Sequence, residues 1–154
     1  MTTTITKVVL APRERQILEG LANGSTLADV AQRLVIREGT AAGYLKVAKR
    51  KLHGMGETPA AVAVAYATRA IEEPEPRDPG GLDLPAEQRD LVPLIAQGMS
   101  GIQMAAELKR PVEIVRRDAR ALMAALGARN PTHVVTRAWQ YRLLTADQVG
   151  AWLR

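Results

Sequence analysis

Residues 10–15 read Leu10-Ala11-Pro12-Arg13-Glu14-Arg15, and a related stretch, Leu84-Pro85-Ala86-Glu87-Gln88-Arg89, follows 74 positions later. At the same shift several small and apolar residues coincide without a gap. They are Ala22/Ala96, Gly24/Gly98, Ala31/Ala105, Leu34/Leu108, Leu52/Leu126 and Thr58/Thr132. Repetition at a fixed spacing indicates repeated structural units. We therefore predict two modules in tandem, residues 1–73 and 84–154, joined by a Pro/Gly-rich linker at 74–83.

The composition favours small helical cores. The chain of 154 residues is 47% hydrophobic, yet it has no Phe, three Tyr and two Trp, and its Ala, Leu, Arg and Glu favour helix, so we expect an all-α fold. A net charge of +5 is compatible with a polyanionic partner without establishing one. The absence of cysteine excludes disulfides and thiolate metal sites. The chain lacks a long apolar run, and its Thr-rich start lacks a signal-peptide core, so we expect a cytoplasmic protein without a membrane segment.

Each module is predicted to contain four helices. In the first module the apolar spacing predicts helices at 13–23, 27–34, 38–52 and 59–71. In the second it predicts helices at 85–97, 101–108, 111–126 and from Thr132 onward, with a kink or a late start caused by Pro93. Thr145 and Gln148 form a capping-box pattern that predicts a short extra C-terminal helix. The aromatic residues Trp139, Tyr141 and Trp152 lie at this end of the chain, which we call the aromatic tail. They are expected to complete the second core or, alternatively, to form a dimer contact.

The segment 72–81 contains three prolines, two adjacent glycines and alternating charges. Such a composition favours extended backbone rather than a core. Ten fully extended residues reach roughly 33 Å. This length is close to the ~34 Å between half-sites one turn apart on duplex DNA.

The repeated residues resemble a known family of DNA-binding domains. In the first module the pattern is Leu10-x-x-Arg13-Glu14-x-x-Ile17-Leu18, Ala22-x-Gly24-x-Thr26, Val30-Ala31-x-x-Leu34, Gly39-Thr40 and Lys51-Leu52. In the second it is Ala96-x-Gly98-x-Ser100, Met104-Ala105-x-x-Leu108, Val115-Arg116 and Leu126-Gly127-Ala128-Arg129-Asn130-Pro131-Thr132. These stretches are similar to LuxR/FixJ (GerE-like) helix-turn-helix domains. The resemblance implies that the third helix of each module enters the major groove and that the fourth helix often forms dimers.

The resemblance also implies which residues face DNA. It points to Ala42, Gly43, Tyr44 and Lys46 on one third helix and to Arg116, Arg117, Asp118 and Arg120 on the other. It places the capping hydroxyls of Thr26 and Ser100 near a phosphate. The full set of candidate DNA-binding residues is Thr26, Thr40, Tyr44, Lys46, Lys49, Arg50, Ser100, Arg110, Arg116, Arg117 and Arg120.

Arg116 and Arg120 are the strongest base-reading candidates, because residues four apart share one face of a helix. Arginine can donate two hydrogen bonds to O6 and N7 of guanine, or clamp a phosphate. The alternative is a solvated charged face balanced by Glu113 and Asp118. The basic end of the first module's third helix suits backbone contacts or the helix dipole. It carries Lys46, Lys49, Arg50 and Lys51.

The first module departs from the family pattern. Ala42 stands where the family favours a basic residue, and Gly43 beside it weakens a helix by about 1 kcal/mol. Neither side chain can donate hydrogen bonds to bases, although a bare surface allows contact with thymine methyl groups. Leu27 and Gly101 also stand where the family usually has Asn.

Catalysis and metal binding are not predicted. His53 and His133 stand in equivalent turn regions without cysteine or paired carboxylates. The chain contains no GxxxxGK[ST] phosphate loop. We expect neither enzyme activity nor a bound cofactor.

These patterns predict a bacterial, sequence-specific regulator of transcription that binds double-stranded DNA, with its two modules as a covalent pseudo-dimer. Further expected partners are a second copy, bound through the fourth helices or the aromatic tail, and RNA polymerase. The alternative is a protein-interaction adaptor that keeps the helical fold, binds RNA polymerase or another regulator and does not read bases.

Overall fold

Ten helices form the computed structural model, which describes residues 5–153. They are α1 (Pro12–Ala22), α2 (Leu27–Leu34), α3 (Glu38–Lys51), α4 (Thr58–Ala67), α5 (Ala86–Arg89), α6 (Leu91–Ala96), α7 (Gly101–Leu108), α8 (Val112–Leu126), α9 (Pro131–Gln140) and α10 (Ala146–Trp152). All regular structure in this range is helical, which confirms the predicted all-α fold. Residues 1–4 of the Thr-rich start and the last residue of the tail lie outside the described residues.

Four of the ten helices begin at a residue whose side chain caps the helix. The side chains of Thr26, Ser100 and Thr145 each accept a hydrogen bond from the backbone N–H three residues later. Such bonds satisfy one of the free donors of a helix start. The predicted extra C-terminal helix is present as α10. In α9 the cap is Asn130, whereas the sequence had indicated a start at Thr132.

Proline sets two further boundaries. The predicted first helix of the second module is divided at Asp90 into α5 and α6. Pro93 has no N–H to donate to the carbonyl of Arg89, so the helical ladder is interrupted there. Pro111, expected at the first position of α8, instead precedes it as the N-cap.

The two sets of helices share one core. We call α1–α4 the first half and α5–α10 the second half. α4 lies at the centre, because it packs against both α9 and α10 of the second half. Every side chain from Ala60 to Tyr66 is buried, as expected for a helix that is apolar around its whole circumference. α4 ends at Ala67, before the predicted end at Ile71.

Hydrogen bonds join the halves beside α4. Thr136 Oγ1 lies 2.8 Å from the hydroxyl of Tyr66 and donates to the carbonyl of Ala22 at 2.7 Å. The ring of Trp139 packs against Tyr66 with the centroids 5.3 Å apart. Residues 60–66 are thus covered within the chain, and the expected homodimer through the fourth helices remains a prediction.

The Pro/Gly-rich linker lies against the second half. Arg77 donates its backbone N–H to the carbonyl of Gln140 at 3.0 Å, and Gln140 Nε2 donates to the carbonyl of Glu75 at 3.0 Å. The halves contact each other directly, so the predicted extended reach of the linker does not set the distance between them. The domain boundaries at 74–83 remain a prediction.

The aromatic tail packs against the shared core. Tyr141 and Trp152 are partly buried there, next to the fully buried Val149. This packing agrees with the interpretation in which the tail completes a core. Within residues 5–153, no helix has the length and apolar character required to cross a membrane.

Candidate nucleic-acid interface

The first helix-turn-helix consists of α2, a turn at Val35 and α3. Val35 takes left-handed backbone with φ 57°, and the N–H of Ile36 donates to the carbonyl of Ala31 at 3.0 Å. A β-branched residue rarely adopts this conformation, and Val35 is 89% exposed. Beneath the turn, a small apolar cluster fixes α2 and α3 on α1. Its buried members are Ile17, Leu21, Val30, Ala31 and Ala41.

α3 presents a bare outer surface near its middle. Ala41 faces the cluster, whereas Ala42, Gly43 and Lys46 are exposed. A Cβ atom added at Gly43 would meet no heavy atom within 4 Å, so the surface above this backbone is open. Tyr44, a candidate DNA contact, is half-buried and packs against the cluster beneath the turn.

Two lysines at the basic end of α3 bond to other segments of the first half. Lys49 Nζ donates to the carbonyl of Gly56 at 3.2 Å, and Lys51 Nζ lies 2.8 Å from the carboxylate of Glu14 on α1. Burial by itself would raise the pKa of Glu14. The hydrogen bonds from Lys51 and from the backbone of Ala11, with the charge of Lys51, outweigh burial and lower that pKa.

The predicted second helix-turn-helix corresponds to α7, a turn at Lys109 and α8. Lys109 takes left-handed backbone with φ 55°, and the N–H of Arg110 donates to the carbonyl of Ala105 at 3.0 Å. The guanidinium of Arg110 lies 2.9 Å from the carboxylate of Asp90 and donates to the carbonyl of Glu87 at 3.3 Å. Arg110 therefore stabilises the turn through these bonds, and its contact with DNA remains a prediction.

The inner face of α8 includes a residue that the resemblance had placed toward DNA. Val115 and Leu122 are buried, and Asp118 between them is only 8% exposed. Residues three and four apart lie on one side of a helix, so Asp118 faces inward. Its Oδ2 has no hydrogen-bond partner within residues 5–153. Its Oδ1 lies 3.8 Å from the exposed guanidinium of Arg117.

Arg116 and Arg120 are exposed on the outer side of α8, beside the start of α7. A Cβ atom at Gly101 would lie 3.3 Å from Arg116 Nε, so the glycine makes room for this guanidinium. Within the described residues neither arginine forms a salt bridge, whereas the neighbouring Arg117 lies 3.8 Å from Asp118. Both border a cavity of about 300 Å³ that is mainly apolar. Its lining includes Ile95, Met99, Met104, Ala119 and Met123.

The structure therefore divides the predicted DNA-binding residues into two groups. The exposed group is Thr26, Thr40, Lys46, Arg50, Ser100, Arg116, Arg117 and Arg120. The half-buried group, whose side chains pack against or bond to the protein, is Tyr44, Lys49 and Arg110. The hydroxyls of Thr26 and Ser100 accept capping hydrogen bonds and still reach the surface.

Sequence reasoning missed the polar residues that join the halves. Asn130 Nδ2 donates to the carbonyl of Gly24 at 3.0 Å, and the buried His133 accepts the backbone N–H of Arg129 at Nδ1. Burial, followed by the positive charge of Arg137 and two further arginines, lowers the pKa of His133 to about 4. The imidazole is therefore neutral at pH 7. The sequence around Asn130 indicated a helix start, but no local pattern identified its partner in the other half.

The described residues do not form an evident metal centre. Within 5–153, no group of three or more His, Cys, Asp or Glu side chains is arranged to hold a metal ion. His53 is exposed in the turn after α3, and His133 is occupied by a backbone hydrogen bond.

Residues 8–64 match the family of bacterial regulatory proteins, luxR family. The matched range covers α1, α2, α3 and most of α4, and it ends before the second half begins. This match supports a DNA-binding regulator with a helix-turn-helix in the first half. No curated protein and no solved structure matches the chain.

Proposed function

We propose that the chain is a sequence-specific regulator of transcription that binds double-stranded DNA through both helix-turn-helix units. The observation that carries the proposal is the pair Arg116 and Arg120, exposed on one side of α8 without a salt bridge in the described residues. Two free guanidinium groups on one face of a helix suit O6 and N7 of guanine. The capped start of α7, with the hydroxyl of Ser100, suits a phosphate.

α3 supplies a different kind of contact. Lys46 and Arg50 are exposed and suit the phosphate backbone. Ala42 and Gly43 form a surface without long side chains, which permits close approach to the groove and contact with thymine methyl groups. Sequence preference should therefore come mainly from α8, and non-specific affinity from both units.

The alternative function is a protein-interaction adaptor. It is favoured by the exposed side chain of Val35 in the turn before α3 and by the absence of hydrogen-bonding side chains at Ala42 and Gly43. A protein partner of this surface, RNA polymerase or another regulator, would contact apolar atoms there.

The experiment that separates the two functions is capture of sheared genomic DNA by the purified chain, followed by sequencing of the retained fragments. The capture is repeated at rising salt, because contacts to phosphate weaken steeply as salt increases. We expect a limited set of enriched fragments that share a motif and persist above the salt at which random fragments are lost. Uniform recovery, or none, would favour the adaptor.

A further inference from the structure

The halves contact each other through equivalent helices. α4 packs against α9, and these are the fourth helices of the two predicted modules. α1 of the first half contacts α9, while α6 of the second half contacts α4. Each first helix thus meets the fourth helix of the other half, as in an interface with two-fold symmetry, where each side uses the same patch.

Two glycines at equivalent positions also contact the opposite half. Gly24 and Gly98, which are equivalent at the 74-residue shift, have positive φ of 90° and 86°. A Cβ atom at Gly24 would lie 2.8 Å from His133 Nδ1, just inside α9. A Cβ atom at Gly98 would lie 2.5 Å from Cβ of Glu57, just before α4. Each glycine therefore lies against the start of the other half's fourth helix.

The segment after each fourth helix also contacts the fourth helix of the other half. The linker, which follows α4, bonds to Gln140 at the end of α9. α10, which follows α9, packs against α4. These contacts are reciprocal between the halves, as expected for an approximate two-fold axis between α4 and α9.

Such an axis would also relate α3 to α8, the two helices that would enter the major groove. Two-fold-related recognition helices read half-sites one helical turn apart. In this chain the two helices carry unlike side chains. α8 exposes Arg116 and Arg120, whereas α3 exposes Ala42 and Lys46 at the equivalent positions.

We infer that one chain fills a complete two-half-site operator whose halves differ, with guanine contacts in the half read by α8 and mainly backbone contacts in the half read by α3. This inference rests on the proposed function. It predicts that the ligand is a non-palindromic DNA duplex and that one copy of the chain is sufficient to bind it.

The test uses the full chain and duplexes with about 30 randomised base pairs, taken through repeated rounds of selection. The motif should span roughly 15 base pairs or more, because half-site centres lie about 10 apart. Sedimentation of the complex with one selected duplex should give one chain per duplex. Methylation of guanine N7 should interfere with binding in one half of the site.

Two variants, one on each of these helices, show which helix reads the half of the site that contains the guanines. Arg116→Ala should lower affinity roughly tenfold to a hundredfold, as expected for loss of one base-specific contact, and should remove methylation interference at the guanine that Arg116 contacts. Lys46→Ala, the equivalent change on α3, should lower affinity at low salt and leave the interference pattern unchanged.

The remaining outcomes would contradict either this inference alone or the proposed function as well. Two chains on a palindrome with interference in both halves would overturn the inference and leave the proposed function in place. A motif of only a few base pairs, protected by one chain, would overturn the two-half-site operator in the same way. If selection enriches no sequence, the proposed function fails, and this inference fails with it.

Discussion

The hydroxyl of Tyr66 on α4 lies 2.8 Å from Oγ1 of Thr136 on α9, and Thr136 in turn donates to the carbonyl of Ala22 at 2.7 Å. Both α4 and α9 are fourth helices of the predicted modules. A buried chain of two hydrogen bonds therefore links the first half to the second at the centre of the shared core. Burial raises the pKa of the Tyr66 phenol despite its bond to Thr136, so Tyr66 is neutral and can donate at physiological pH.

Thr136→Val should destabilise the whole chain. Valine has a similar shape but leaves the hydroxyl of Tyr66 and the carbonyl of Ala22 without their partner, at a cost of about 2 to 3 kcal/mol in the free energy of unfolding. Chemical denaturation measures this change. Thr132→Val on the same helix is the matched control and should have a smaller effect. Equal effects of the two substitutions would show that the bonds between the halves contribute little.

Gly98→Ala should weaken the contact between α6 and the start of α4. Alanine at this positive φ costs about 1 to 2 kcal/mol, and its Cβ atom would also meet Cβ of Glu57 at 2.5 Å. Gly54→Ala separates these two costs, because Gly54 has φ 68° and no heavy atom within 4 Å of an added Cβ atom. In denaturation, Gly98→Ala should lose more stability than Gly54→Ala. The reverse order would argue against close packing of the halves here.

Much of the local structure could be predicted from capping residues and spacing. The bounds of α2 agree with the prediction because Thr26 caps its start and the apolar residues repeat at helical intervals. The packing between the halves was not predicted, although one signal was present. The run from Ala60 to Tyr66 is apolar on every side, which indicates a helix covered all round.

The candidate site was predicted less completely. The exposed arginines of α8 follow from helical spacing, and the same spacing places Asp118 between Val115 and Leu122 on the inner face. The partner of Arg110 could not be found in this way. Asp90 comes close to it only because Pro93 breaks the preceding helix and α8 packs beside α5.

Acid should destabilise the fold through His133. The pKa of this imidazole is about 4 in the folded chain and 6.5 when unperturbed, so between these values the unfolded chain binds a proton that the folded chain does not. The part of the stability that depends on His133 is therefore greatest above pH 6.5 and falls as pH decreases toward 4, by at most about 3 kcal/mol. His133→Gln keeps an acceptor for the N–H of Arg129 and should remove this part of the pH dependence. Parallel denaturation series that show the same slope for both proteins would contradict the assignment to His133.

Gly43→Ala should stabilise the chain. Alanine favours a helix over glycine by about 1 kcal/mol, and no heavy atom lies within 4 Å of the added Cβ atom. The control is Gly20→Ala in α1. The gain in helix propensity is the same there, but the added Cβ atom would lie 2.6 Å from Val30 Cγ2. Thermal unfolding should rank Gly43→Ala above the unchanged chain and Gly20→Ala below it. Destabilisation by Gly43→Ala would show that the surface of α3 is covered.

The central claim is that α8 reads bases with Arg116 and Arg120. The most direct measurement is competition binding of the unchanged chain and of the double variant Arg116→Ala/Arg120→Ala to a selected duplex and to random duplex at the same salt. The double variant should unfold at the same denaturant concentration as the unchanged chain and lose most of its preference for the selected duplex, since each base contact contributes about 1 to 3 kcal/mol of discrimination. Arg89→Ala, which removes an exposed charge from α5, should keep that preference. An unchanged preference in the double variant would contradict the claim.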